Sequence, residues 1–240
     1  SENIKKSTGG NTANYSVNNS VGTPSSASFD ASDSSIIRLA FGTPFQNGIT
    51  NTLTVSGITD NENNLISNTQ KPFIYFIVVP ASFHDIVINE IFADPSPQIG
   101  LPAFEFVELY NASSNVFELN DWSLTVGTTS KSIDDFILVP GAHLILCHED
   151  DTFSYKFYGD VIGLTSLSLT NSGEDLYLTD NNGTLVDEVH YEDSWYNDND
   201  KSDGGYSLEL INPGHPCQSA SNWTASENTN GGTPGSQNSV

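Results

Sequence analysis

Two short apolar runs, Ile86-Val87-Ile88-Asn89-Glu90-Ile91-Phe92 and Phe104-Glu105-Phe106-Val107-Glu108-Leu109-Tyr110-Asn111, constrain this chain more than any other feature. Both are rich in β-branched and aromatic residues, the side chains that fit a pleated, half-buried surface, and so read as strands. Between them, Asp94-Pro95-Ser96-Pro97 and Gly100 admit neither a strand nor a helix. The pair is therefore two strands joined by a long loop.

The remainder of the second half repeats the pattern. Trp122, Leu124 and Val126 alternate onto one face, with Trp122 as a hydrophobic anchor. Phe136 to Val139 ends at the Pro140-Gly141 turn, and His143 to Cys147 is the next strand. Beyond a polar stretch, three segments form a meander: Leu167 with Leu169, Leu176 with Leu178, and Leu185 with Val189 and Tyr191. Tyr206 to Ile211 is the last regular strand. No window carries apolar residues at helical spacing over three turns, so this half is all-β.

The first half divides differently. Residues 1–13 show no periodicity and no apolar pair to bury, which predicts a flexible lead-in. Short strands follow at Tyr15–Val17, Ile36–Phe41, Leu53–Ile58 and Phe73–Val79, separated by Gly, Pro, Asn and Asp clusters at spacings that suit an antiparallel sandwich. Val79-Pro80-Ala81-Ser82 marks the boundary, giving domains at 14–82 and 83–240. Charge changes at about the same place. Residues 1–84 carry four basic side chains against five acidic ones, whereas residues 85–240 carry three against twenty-five. Such an acidic surface repels phosphate backbones and anionic headgroups, which argues against nucleic acid as a partner. No run of eighteen apolar residues exists to insert into a bilayer. The chain opens with neither a methionine nor a signal segment, as expected of a fragment or processed form, and its wealth of Asn, Ser, Thr and Gly with little Lys fits a secreted or cell-surface protein.

Two family resemblances attach to these residues. Leu53-Thr-Val-Ser-Gly-Ile-Thr-Asp-Asn-Glu-Asn-Asn-Leu65 resembles the end of a bacterial Ig-like domain of the S-layer type, with Asn63 where that family's corner has glycine; Asn tolerates the same left-handed backbone. The likeness spans Tyr15 to Val79 without the family's opening strands, which implies a partial sandwich with an exposed edge. In the second half, nine motifs occur in order: Ile88-Asn-Glu-Ile91; Phe106-Val-Glu-Leu109 with Asn111; Leu119-x-x-Trp122-x-Leu124; Pro140-Gly141; Leu169-x-Asn-Ser-Gly173; Val186-Asp187; Ser207-Leu-Glu209; Asn222-Trp223; and Gly232-Thr-Pro-Gly235-x-x-Asn238. Together they resemble a bacterial lamin tail domain, an Ig-like antiparallel β-sandwich. The chain has no coiled-coil heptads and no basic localisation segment, so the filament assembly and nuclear residence of nuclear lamins do not carry over.

The candidate sites follow from residue chemistry. Glu90, Glu105 and Glu108 can be drawn as glycosidase acid pairs, which need about 5–10 Å between carboxyls. A structural role is favoured, with Glu90 and Glu108 accepting hydrogen bonds from Asn89, Asn111 or loop amides. Asp187 shares the parity of Leu185 and Val189, points toward the core, and is expected to bond to a turn. His143 and His190 read as surface strand positions, and His148 and His215 flank the cysteines without zinc spacing. No His-Glu-x-x-His or Gly-x-Ser-x-Gly motif occurs. Cys147 and Cys217 are expected to form a disulfide, whose loop would contribute roughly 4 kcal/mol in the entropy model. Asp198, Asp200, Ser202 and Asp203, followed by Gly204, form a candidate Ca²⁺ loop that Lys201 interrupts and that lacks the closing glutamate.

The lamin-tail resemblance implies a non-catalytic accessory or interaction module of a secreted or cell-surface bacterial protein, with a protein or carbohydrate ligand outside the cell. The alternative is part of an extracellular hydrolase, of glycosidase or nuclease class, acting through paired carboxylates.

Overall fold

The computed structural model describes residues 3–77, 79–215 and 219–240. The chain divides into two compact units, residues 1–77 and 78–240. Among the described residues no helix is long and apolar enough to cross a membrane.

In the first unit, β1 (Tyr15–Val17), β4 (Ile49–Val55) and β5 (Thr69–Tyr75) form an antiparallel sheet in the order β1-β4-β5, while β2 (Ser26–Phe29) pairs with β3 (Ile37–Ala40) as a separate ribbon. The core is small: Tyr15, Val17, Val21 and Ile58 are its buried apolar side chains. Residues 3–13, expected as a lead-in without regular structure, contain a helical turn and hydrogen bonds to the rest of the unit. Lys5 donates its amide to Thr59, α1 (Lys6–Gly9) follows, and the Tyr15 hydroxyl donates to the Gly9 carbonyl at 2.8 Å. Sequence periodicity misses this because backbone hydrogen bonds and the polar side chains of Lys5, Thr8 and Tyr15, not an apolar stripe, dock the segment. At the expected corner, the Asp60 carboxylate accepts from the amides of Glu62 and Asn64, and Asn63 takes φ 70°.

The second unit is a two-layer β-sandwich. Its larger sheet contains β6 (Ile86–Phe92), β7 (Phe106–Asn111), β12 (His143–His148), β13 (Val161–Leu164), β16 (Leu208–Leu210) and β17 (Trp223–Ala225), in the order β13-β12-β7-β6-β16-β17. The smaller contains β9 (Ser123–Val126), β10 (Thr129–Ser132), β14 (Gly173–Thr179) and β15 (Leu185–Glu192), in the order β10-β9-β14-β15. A ribbon of β8 (Phe117–Glu118) and β11 (Ile137–Leu138) completes the unit.

The two opening strands pair antiparallel, Ile88 opposite Leu109 and Glu90 opposite Glu108, with a bulge between Ile88 and Glu90. Period-two alternation, reset by that bulge, sends Ile88, Ile91, Val107 and Leu109 inward to meet Leu124, Leu176, Leu178 and Val189 from the smaller sheet. Each such aliphatic side chain contributes about 1.5–3 kcal/mol by leaving water. Trp122 is nearly inaccessible in this core, 6.1 Å from the Phe117 ring, as its anchoring role requires.

Two expectations are revised. Leu167 and Leu169 form no strand, so the three-stranded meander is the pair β14 and β15. Glu105 instead holds Leu169, accepting its amide at 2.9 Å. The polar stretch after Cys147 also hides β13, which joins β12 in parallel rather than antiparallel.

Candidate functional site

Alternation along the larger sheet leaves a second, outward-facing set of side chains, and these are covered as well. At one end Phe92, Phe106, Ile145 and Cys147 pack under Tyr155 of α2 (Thr152–Tyr155), whose hydroxyl donates to the Phe104 carbonyl at 2.6 Å. Next to this apolar cluster lies a row of acids. Glu108 stands opposite Glu90, and Glu90 opposite Glu209, on the adjacent strands β7, β6 and β16. All three are fully buried.

Like charges side by side in a dry interior are unfavourable unless they are bonded or protonated. The C-terminal segment supplies the bonds. Glu90 accepts from the Ser207 hydroxyl at 2.6 Å and the Thr233 amide at 2.8 Å. Glu209 accepts from the Thr233 hydroxyl at 2.9 Å and from the amide and hydroxyl of Ser239 at 2.6 and 2.8 Å. Glu108 accepts from Asn89 at 2.9 Å, bonds His143 Nδ1 at 2.7 Å, and accepts from the Gly235 amide. Burial first, and then the neighbouring Glu108, raises the Glu90 carboxyl well above its ordinary value, against the opposing pull of the Ser207 and Thr233 bonds. The row thus acts as a set of acceptors that ties residues 232–239 across the sheet.

Two glycines permit that close approach. A side chain at Gly232 would run into the Glu90 carboxylate, and Gly235, at φ 77°, lies against the Tyr158 carbonyl.

The other predicted residues fall into distinct places. Asn89 sits in the bulge, bonded to Glu108 and to Asn238 at 2.9 Å each. Asn111 does not reach the glutamates: its amide donates to the carbonyls of Asn115 and Leu138, so it shapes the following loop. Asp187 is buried, accepts from the amide of Ile88, a strand residue, at 2.7 Å, and lies 3.3 Å from Nε2 of His84 in the turn that precedes β6. The bulge provides the reason, since a displaced ladder exposes an amide that needs another acceptor. His143 is a correction, because its ring is mostly covered and paired with Glu108, whereas His190 is exposed and paired with Asp175 at 2.8 Å. Alternation shows which face a side chain takes, but not whether another segment covers that face.

The candidate Ca²⁺ residues form no open loop. Asp198 caps α3 (Asn199–Ser202) by accepting from the amides of Asp200 and Lys201, and Ser202 donates to the Asn199 carbonyl. Helical geometry turns alternate residues about 200° apart, so Asp198, Asp200, Ser202 and Asp203 do not converge. Among the described residues no group of three or more His, Cys, Asp or Glu stands together as metal ligands do. Cys147 is a free, buried thiol, pushed up to about 12 by burial and then by Asp151. Cys217, its expected disulfide partner, lies outside the described residues.

Sequence reasoning named Glu90, Glu108 and Asn89 but gave Glu209, Ser207, Thr233 and Ser239 no role in a site. The signal available was the pair of motifs Ser207-Leu-Glu209 and Gly232-Thr-Pro-Gly235, whose polar side chains have no role in an apolar core.

Fold and site together define an Ig-like β-sandwich whose outer sheet face is closed by its own C-terminal segment. Residues 80–193 match the model of the Lamin Tail Domain family, which supports a lamin-tail Ig-like domain in this part of the chain. The match stops before β16, β17 and the closing segment. No curated protein matches the chain.

Proposed function

We propose that residues 78–240 are a non-catalytic interaction module of a secreted or cell-surface bacterial protein, preceded by the closing part of an S-layer-type Ig-like domain. One observation carries the reading. Of the three acids suited to hydrolysis, Glu90 and Glu108 are fully buried with oxygens that accept bonds from the chain itself, and Glu105, half-buried, accepts the Leu169 amide. A catalytic acid or base has to reach substrate, directly or through one water. The acidic second half repels polyanions, which favours a neutral or basic protein or carbohydrate as the ligand.

The test is an assay of the full 240-residue chain against polysaccharides, phosphodiesters and peptides. No turnover is expected. Turnover abolished by Glu90→Gln or Glu108→Gln would replace this reading with the hydrolase.

A further inference from the structure

Between the larger sheet and the C-terminal segment lies a cleft of about 350 Å³, whose lining includes Asn89, Tyr110, His143, Ile211, Gln237 and Asn238. Its size is near the lower end of the ~300–1,000 Å³ range of small-molecule sites. Three features define what it can accept. His143 is the one titratable side chain in its lining apart from the Tyr110 phenol, and the α-carboxyl of Val240 stands at its edge, so the side chains themselves give an anion no fixed positive partner. The Tyr110 ring supplies an apolar face, held with its centroid 4.8 Å from the His143 ring. The polar groups around it are neutral amides and an imidazole, which both donate and accept.

The floor is preorganised. Glu108 Oε1 binds Asn89 Nδ2 and His143 Nδ1, and Asn238 Nδ2 donates to the carbonyls of Asn89 and Leu210. With Nδ1 held by a buried carboxylate, His143 has Nε2 available to a ligand. Gln237 is exposed, and neither its amide nor the Tyr110 hydroxyl has a hydrogen-bond partner among the described residues.

We propose that this cleft binds a neutral saccharide unit, with the Tyr110 ring against the sugar's C–H face and Gln237 and His143 Nε2 on its hydroxyls. Sugar hydroxyls donate and accept together, as this mixture of groups requires, and an uncharged ring is not repelled by the acidic surface. A peptide is disfavoured because Tyr110 is the one large aromatic side chain in the lining, and beside it Leu210, Ile211 and Pro213 offer no second phenyl or indole ring to clasp an anchor residue. The proposal rests on the accessory-module reading and gives it a ligand class.

The experiment is a titration of the full chain with a panel of neutral mono- and disaccharides, followed by NMR of the side-chain amides. Shifts are expected at Gln237, Asn89 and Asn238. Tyr110→Ala should weaken binding about tenfold, the order contributed by one aromatic face, while Tyr110→Phe retains most of it. Gln237→Ala, an exposed change that leaves folding intact, should weaken it independently. No shift at these amides with any sugar, shifts confined to another surface, equal binding by Tyr110→Ala and Gln237→Ala, or saturation by a cationic or peptide probe alone would each overturn the site. Hydrolysis of a bound sugar would overturn the accessory reading instead.

Discussion

Thr233 donates its amide to Glu90 across 143 residues of sequence, at 2.8 Å and in a fully buried setting. Its hydroxyl donates to Glu209, so one residue of the closing segment bonds two acids on neighbouring strands. Removing either acid leaves a donor of that segment without its acceptor. The energetic consequences follow from that dependence.

Glu90→Ala leaves the Thr233 amide without its acceptor and the Ser207 hydroxyl with only the longer bond to the Gly231 carbonyl, and should cost about 2–3 kcal/mol in urea denaturation of the second unit. Glu90→Gln keeps a carbonyl acceptor and no charge, and should cost less than about 1 kcal/mol near neutral pH. The pH dependence has a definite sign. Because the folded carboxyl is raised above the ordinary 4.5, the unfolded chain loses this proton first as pH rises. The Glu90 contribution is complete below the ordinary 4.5 and declines as pH rises above it, so wild type should lose stability relative to Glu90→Gln as pH is raised from there. Parallel curves for the two proteins would refute this.

Gly235→Ala tests the closing segment from its other side. At φ 77° and against the Tyr158 carbonyl, an added Cβ meets both backbone strain and collision. A loss of about 2 kcal/mol or more is expected, together with faster protease cleavage after residue 231. Unchanged cleavage would mean that the segment is held without the Glu108 bond to Gly235.

The cysteine prediction concerns reactivity. Buried in β12 beside Phe106 and Tyr155, with its thiol raised to about 12, Cys147 should resist alkylation in the native protein and react once it is denatured. Mass spectrometry of peptides from the non-reduced protein checks this: a Cys147–Cys217 linkage would restore the disulfide expected from the sequence, and rapid native labelling would contradict the burial.

Domain limits give the last prediction. A fragment of residues 79–240 should unfold cooperatively, whereas 79–193, close to the extent of the family match, should not fold. The shorter fragment lacks Leu208, Leu210 and Trp223 from the core, each worth about 1.5–3 kcal/mol, against a typical total stability of about 5–15 kcal/mol. It also leaves Glu90 and Glu108 without Thr233 and Gly235. A sharp urea transition for 79–193 would show that the smaller core suffices.

What the sequence determined by itself is the part carried by local geometry. Alternation with a period of two is a property of the strand backbone, so Trp122 with Leu124, Leu176 with Leu178, and Leu185 with Val189 could each be assigned to one face before any partner was known, whereas Ile88 and Ile91, three residues apart, share the inner face only because of the bulge between Ile88 and Glu90. The left-handed corner at Asn63 was legible for the same reason, because a single residue's backbone preference decides it. The tertiary structure alone decided what covers the outer face. Glu90, Glu108 and Glu209 are registered by pairing of strands far apart in sequence, and they are satisfied by Thr233, Gly235 and Ser239 through contacts that leave no periodic trace. His143 looked exposed and is paired with a buried acid; Asp198 looked like a loop ligand and caps a helical turn. Each side chain's chemistry was visible in the chain, but its partner was fixed only when the closing segment lay across the sheet and excluded water from it.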